Sequence, residues 1–105
     1  MSENFGMAGK RVIITGASGG IGGATTRLLA QRQAKLVLVD RDSAALQAIA
    51  EEVESAGAQV LSIVADVTQE SDVVRYVDAA VTHFGGVDGF FNNAGISGQV
   101  TPALD

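Results

Sequence analysis

Cysteine is absent from the 105 residues, which excludes a disulfide framework and thiolate ligands for zinc. Basic residues are few, seven Lys and Arg against twelve Asp and Glu, for a formal net charge of −5. Scattered as they are, they form no patch to hold nucleic acid or an anionic membrane surface. No apolar run approaches the roughly 20 residues of a membrane span. The opening MSENFGMAGKR also lacks the apolar stretch of a secretory signal. These absences leave a soluble cytoplasmic protein as the expectation, with neither nucleic acid nor membrane among its partners and no metal site.

What remains is ordinary globular composition, 47% hydrophobic and 18% charged, enough for one domain with a small core. Residues 1–9 are polar or small and without period, and read as a flexible lead-in to a domain over 10–105. Thr15 to Gly22, TGASGGIG, follows the apolar Val12-Ile13-Ile14 and precedes a helical pattern, so its glycines fall where a strand turns sharply into a helix. Gly16 can take a backbone conformation closed to residues with a Cβ, and Gly20 and Gly22 keep side chains away from an approaching pyrophosphate at the helix N-terminus. Glycine-rich turns are common, and this spacing is not the plain G-x-G-x-x-G. The rest of the chain has to decide its meaning.

Arg11 to Thr15, Lys35 to Asp40, Gln59 to Ala65 and Val87 to Asn92 read as short buried strands. Between them lie three helical patterns. The first carries Ile21, Thr25, Leu28 and Leu29 on one face, and the second Leu46, Ile49, Ala50 and Val53, with Asp42 or Ser43 as N-cap and Gly57 as stop. The third carries Val73, Val77, Ala80, Val81 and Phe84, with Thr68 as N-cap, Glu70 and Asp72 in the first turn and Gly85-Gly86 at its end. A βαβαβαβ alternation with short connections implies a parallel sheet covered by helices, an α/β doubly wound arrangement. Right-handed crossovers and a reversal after the third strand give the order 3-2-1-4, with a crevice at the carboxyl ends of the first and fourth strands.

Asp40 closes the second strand 18 positions after Gly22, near the spacing at which an acid holds the hydroxyls of an adenosine ribose. The alternative for Asp40 is a turn or helix cap. A carboxylate there repels a 2′-phosphate and favours NAD over NADP, whereas Arg41 argues the other way, since a guanidinium could receive that phosphate. Asp66 and Val67 end the third strand on the same edge, suited either to an adenine ring or to capping the next helix. Asn92-Asn93-Ala94-Gly95 follows the fourth strand, where the Asn92 amide could pin neighbouring strands, touch a cofactor, or both.

TGASGGIG after the first strand, Asp40 after the second, Asp66-Val67 after the third and NNAG after the fourth, in that order, resemble the short-chain dehydrogenase/reductase family. The resemblance runs from about Lys10 to the last residue. It implies a partial Rossmann fold, a nicotinamide cofactor, NAD rather than NADP, and cofactor contacts at Gly16, Ser18, Gly20, Ile21, Gly22, Asp40, Asp66, Val67, Asn92, Ala94 and Gly95. Such enzymes move a hydride between nicotinamide and an alcohol or carbonyl. Their tyrosine is activated by a lysine four positions later, and a serine and an asparagine assist.

That tyrosine and lysine pair is missing here. The single tyrosine, Tyr76, is followed four residues later by Ala80, and the only lysines are Lys10 and Lys35. His83 and Ser97 read as surface or loop residues, and Tyr76 as an exposed or packed helix residue. The resemblance therefore implies the cofactor-binding half of an oxidoreductase, ended early by truncation, frameshift or partial sequencing and itself inactive. A stand-alone dinucleotide-binding module and a non-functional gene fragment are the alternatives. An open edge on the fourth strand, left without a neighbour, implies self-association.

Overall fold

Four buried strand sequences and three amphipathic segments give β1 (Arg11–Thr15), α1 (Gly20–Gln31), β2 (Lys35–Asp40), α2 (Ser43–Ser55), β3 (Gln59–Val64), α3 (Glu70–Phe84) and β4 (Gly89–Asn92). The structure is a computed structural model, and it describes residues 6–93. All strands are parallel in the order β3-β2-β1-β4, as the alternation of elements implied. β1 and β2 are central and buried on both faces, which is why they read as continuous apolar runs. Alternate side chains then serve two layers. Val12, Ile14, Leu36 and Leu38 pack with α1 and α2 residues, whereas Ile13, Val37, Val39 and Ile63 pack beneath α3.

The α1 stripe is rotated from its expected position. Gly22, Gly23, Thr26 and Leu29 face inward, whereas Ile21 is 64% exposed and Leu28 48% exposed. Backbone approach sets this rotation: a Cβ on Gly22 would lie 1.8 Å from the Gly16 carbonyl oxygen, so only a glycine face can meet the turn. The Thr26 hydroxyl, buried in that contact, donates to the Gly22 carbonyl at 2.8 Å.

In α2 the expected face of Leu46, Ile49, Ala50 and Val53 is the buried one. Asp42 is the N-cap, its Oδ1 accepting from the Ala45 N–H at 3.0 Å, and Gly57 follows the helix with φ +103°. In α3, Tyr76 and Ala80 are the buried residues, Val73, Val77 and Phe84 are partly buried, and Val81 is 47% exposed. The Tyr76 ring lies 6.2 Å from that of Phe90, tilted by 56°. Of the two places sequence left open for Tyr76, it takes the packed one. Gly85 ends the helix in the left-handed conformation. Thr68 is not the N-cap, because its hydroxyl donates to Asp66 Oδ1 and Gln69 takes the cap position.

The residues just before β1 make contacts of their own. Met7 packs against the α1 and α2 layer, and the Gly9 N–H donates to the Gln33 carbonyl at 2.9 Å. β4 starts at Gly89 rather than Val87, and Asp88 just before it is clamped to Arg11 at the start of β1. Its carboxylate accepts from Arg11 Nε at 2.7 Å, Nη2 at 3.0 Å and the Arg11 N–H at 2.9 Å, while its own N–H donates to the Arg11 carbonyl at 2.7 Å. This bidentate clamp joins the start of β1 to the approach to β4.

The Arg11 side chain first, and its N–H second, hold the Asp88 carboxyl well below the usual carboxylate range. A depressed folded-state pKa adds stability that is fully present above the unfolded value of about 4 and is lost as pH falls further. Asp88→Asn should therefore melt at a lower temperature than the unmodified chain at pH 7, with the gap closing below about pH 4. A gap that stays constant from pH 7 to pH 3 would show that the clamp acts through shape rather than charge.

Candidate functional site

The carboxyl ends of all four strands lie on one edge of the sheet, and backbone hydrogen bonds lock them in register. The Ala17 N–H donates to the Val39 carbonyl at 3.2 Å, Ala65 to Asp40 at 3.1 Å and Asn93 to Thr15 at 3.2 Å. Along this edge the chain turns at Gly16, whose φ of +63° is the left-handed conformation anticipated for it. From there it enters α1 through Gly19 in an extended conformation.

The N-terminus of α1 differs from those of the other helices. Gly19 offers no side-chain cap and the first turn holds no acid, whereas α2 is capped by Asp42 and α3 carries Glu70 and Asp72. The first N–H groups of a helix lack intrahelical partners and carry partial positive charge, so α1 is left open to an anion from outside. At Gly20 a Cβ would meet nothing within 4 Å, so that face of the turn is clear. Ile21 also stands out into solvent here. Gly22 has a packing task as well, since a side chain there would strike the Gly16 carbonyl.

Asp40 sits across the turn, half-buried at the end of β2. Its Oδ2 accepts from the Ser18 hydroxyl at 2.6 Å and the Ser18 N–H at 3.1 Å, and its Oδ1 accepts from the Asp42 N–H at 3.1 Å. Burial pushes the Asp40 carboxyl upward, but the Ser18 hydroxyl and the N–H groups of Asp42, Ser18 and Arg41 outweigh it and hold the carboxyl below its ordinary value. Asp40 is thus ionised at neutral pH. Asp66 is held down as well, by the Thr68 hydroxyl and N–H at 2.6 and 2.9 Å, with a further contribution from Arg41.

Gly16, Asp40, Arg41, Asp66 and Val67 line one cleft of about 360 Å³, inside the range of roughly 300–1,000 Å³ usual for small-molecule sites. A larger hollow of about 600 Å³ lies at the amino ends of β2 and β3, walled in part by the Arg27–Glu52 ion pair at 2.6 Å, and none of the anticipated site residues reaches it. The smaller cleft is therefore the candidate. It fits a dinucleotide chemically, because an open helix N-terminus for phosphate and an ionised acceptor for a diol share one edge.

Asn92 lies farther along that edge, and its Oδ1 accepts from the Thr15 hydroxyl at 2.6 Å, which ties β4 to β1. That is the strand-pinning role. Next to it, the buried Asn93 Nδ2 has no partner among the described residues. Ala94, Gly95 and Ser97 lie outside the described residues. Tyr76 and His83 are remote from the cleft in function: Tyr76 is 2% exposed beneath the sheet, and the His83 ring packs edge-on against Phe84 at the far end of α3. Ser18 bonding to Asp40 is what sequence reasoning missed. The two are 22 residues apart, and only the register of β1 against β2 brings them together.

The family model for short chain dehydrogenase matches residues 10–105. A levodione reductase from Leifsonia aquatica is 50% identical over 93 residues, covering 87% of this chain and 35% of its own length. The 11-beta-hydroxysteroid dehydrogenase of Pinus massoniana is 46% identical over 91 residues, covering 86% and 26%. Among solved structures, NAD+-bound xylitol dehydrogenase superposes with a TM-score of 0.84 at 39% identity, covering 95% of this chain and 38% of that one. A Burkholderia phymatum short chain dehydrogenase/reductase in complex with NAD gives 0.79 at 37%, covering 80% and 30%. The chain thus spans about a third of the length of the relatives it matches. With the matched family model running over nearly all of its residues, and the glycine turn, Asp40 and Asp66 set along one sheet edge, the chain belongs to the short chain dehydrogenase family.

Proposed function

We propose that this chain is the NAD(H)-binding part of an oxidoreductase that moves a hydride between a nicotinamide cofactor and an alcohol or carbonyl substrate, and that it works in the cytoplasm. The observation that carries the reading is the uncapped, acid-free N-terminus of α1 at the end of a turn whose Ser18 bonds the ionised Asp40, which lines the cleft with Gly16. Gly16, Ser18, Gly20, Ile21 and Gly22 form the phosphate turn, Asp40 takes the ribose hydroxyls, and Asp66 with Val67 takes the adenine. Asn92, Ala94 and Gly95 are taken as further cofactor contacts, as the family resemblance implies. Two relatives whose structures hold NAD, at 37% and 39% identity, support the choice of nucleotide.

When bound, the nicotinamide supplies or accepts the hydride; the residues of this chain bind it, orient it and select it. An ionised carboxylate at Asp40 disfavours the added charge of a 2′-phosphate, so NADH should bind more tightly than NADPH. Asp40→Ala should weaken NADH by about 1.5–3 kcal/mol, the scale of hydrogen bonds to a charged group, and narrow the gap to NADPH. Calorimetry giving tighter NADPH than NADH for the unmodified chain would overturn the assignment. In the same preparation NADH should not be consumed with any carbonyl substrate. A positioned proton donor contributes about 10² to 10⁴-fold, and the one tyrosine, Tyr76, is buried under the sheet with Ala80 four residues on. Steady consumption abolished by Tyr76→Phe would show that the chain is a working enzyme.

A further inference from the structure

Asp40 is the one acid of the cleft held from two sides, and its partners belong to different parts of the fold. Ser18 reaches it from the glycine turn after β1, with both its hydroxyl at 2.6 Å and its N–H at 3.1 Å on Oδ2. The Asp42 N–H holds Oδ1 at 3.1 Å from the turn before α2. The Arg41 N–H adds to them, so the carboxylate is held by donors from both turns. We propose that Ser18 is a positioning residue: its hydroxyl fixes the Asp40 carboxylate in place and thereby sets the preference for a ribose without a 2′-phosphate. This rests on the NAD(H) reading and deepens it.

The physical reasoning concerns freedom rather than contact. A carboxylate held at both oxygens cannot turn away from a phosphate dianion, so the full repulsion falls on NADPH. Once the hydroxyl is removed, the shortest bond on Oδ2 is lost and the longer one from the Ser18 N–H stays. The carboxylate can then rotate or take up a proton, and Arg41, on the same cleft wall, is left to attract the phosphate. The other charges around Asp40 are Asp42 beside it and Asp66 across the cleft, and neither substitution below alters them. A ribose diol, by contrast, needs two acceptor positions and brings its own donors.

The test compares the unmodified chain with Ser18→Ala and Ser18→Thr, following the Asp40 carboxyl by carbon-13 NMR titration and the affinities of NADH and NADPH by calorimetry. In Ser18→Ala the Asp40 midpoint should move up and the NADH to NADPH affinity ratio should fall about tenfold, the effect of one hydrogen bond to a charged group. Ser18→Thr, which keeps the hydroxyl, should restore both. An unchanged midpoint in Ser18→Ala, or affinities for the two nucleotides that fall by the same factor, would overturn the proposal. If the unmodified chain binds neither nucleotide while the midpoint still shifts, the NAD(H) reading fails and the selectivity role fails with it, although the Ser18 to Asp40 bond stands.

Discussion

Gly22→Ala should cost about 3 kcal/mol or more and lower the melting temperature by more than about 10 °C, whereas Gly20→Ala, two residues away, should melt no lower than the unmodified chain. The two glycines differ in what surrounds them. A Cβ on Gly22 would meet the Gly16 oxygen at 1.8 Å, the Gly16 carbonyl carbon at 2.7 Å and the Ala17 Cα at 3.1 Å. All three are backbone atoms and cannot rotate aside as a side chain would. They are also tied, since Gly19 donates to the Gly16 carbonyl at 3.2 Å and Ala17 donates to Val39 at 3.2 Å. Relieving the clash means moving β1 away from α1 or breaking those bonds, and overpacking of this kind lies at or above the usual 1–3 kcal/mol. Gly20 meets nothing within 4 Å and begins the helix, so alanine there removes only glycine's excess unfolded-state freedom, a gain of about 0.4–1 kcal/mol. Thermal melts followed by circular dichroism decide it. Equal melting temperatures for the two variants would mean that the contact between Gly16 and Gly22 is not what seats α1.

That same contact explains where sequence reasoning stopped. The strands were legible because β1 and β2 are buried on both faces and β-branched, a pattern with few other solutions, and strand order followed from the alternation with helices. α2 was legible because it has one apolar stripe and a local cap at Asp42. α1 has two candidate stripes, Ile21 with Leu28 and Gly22 with Thr26, and hydrophobicity alone selects the wrong one. The choice is made by a backbone contact that carries no hydrophobic signal. Thr68 was misplaced for a similar reason, because a threonine hydroxyl before a helix can accept from the helix or donate to a nearby carboxylate, and here Asp66 is near enough to take it. Within the site, the residue types at Gly16, Asp40 and Asp66 were readable one by one. Their coupling was not, since the Ser18 bond to Asp40 depends on strand register.

The largest expected effect is on the state of association. The outer edge of β4 pairs with no strand among the described residues, and Phe91 on one face is 43% exposed while Phe90 on the other is only partly buried. Nearer the helices, Val74 and Val81 on α3 are 55% and 47% exposed, and Ile21 and Leu28 on α1 are 64% and 48% exposed. The α3 layer is the thinner of the two, with more partly buried than fully buried apolar residues around Ile13, Val37 and Val39. Full burial of a large apolar side chain contributes about 1.5–3 kcal/mol, so Phe91, Val74, Val81, Ile21 and Leu28, each about half exposed, together forgo roughly 5 kcal/mol. A typical domain has only about 5–15 kcal/mol to lose. An unpaired strand with apolar side chains is also a template for another chain, and β4 carries no charged residue to discourage it. The purified polypeptide should therefore be marginally stable and should self-associate through β4. Size exclusion with light scattering should show mass rising with concentration, and Phe91→Lys, which places a charge on that edge, should return the chain to monomer. A monodisperse unmodified monomer that melts cooperatively above about 60 °C would rule this out, because the edge would then be covered in some other way.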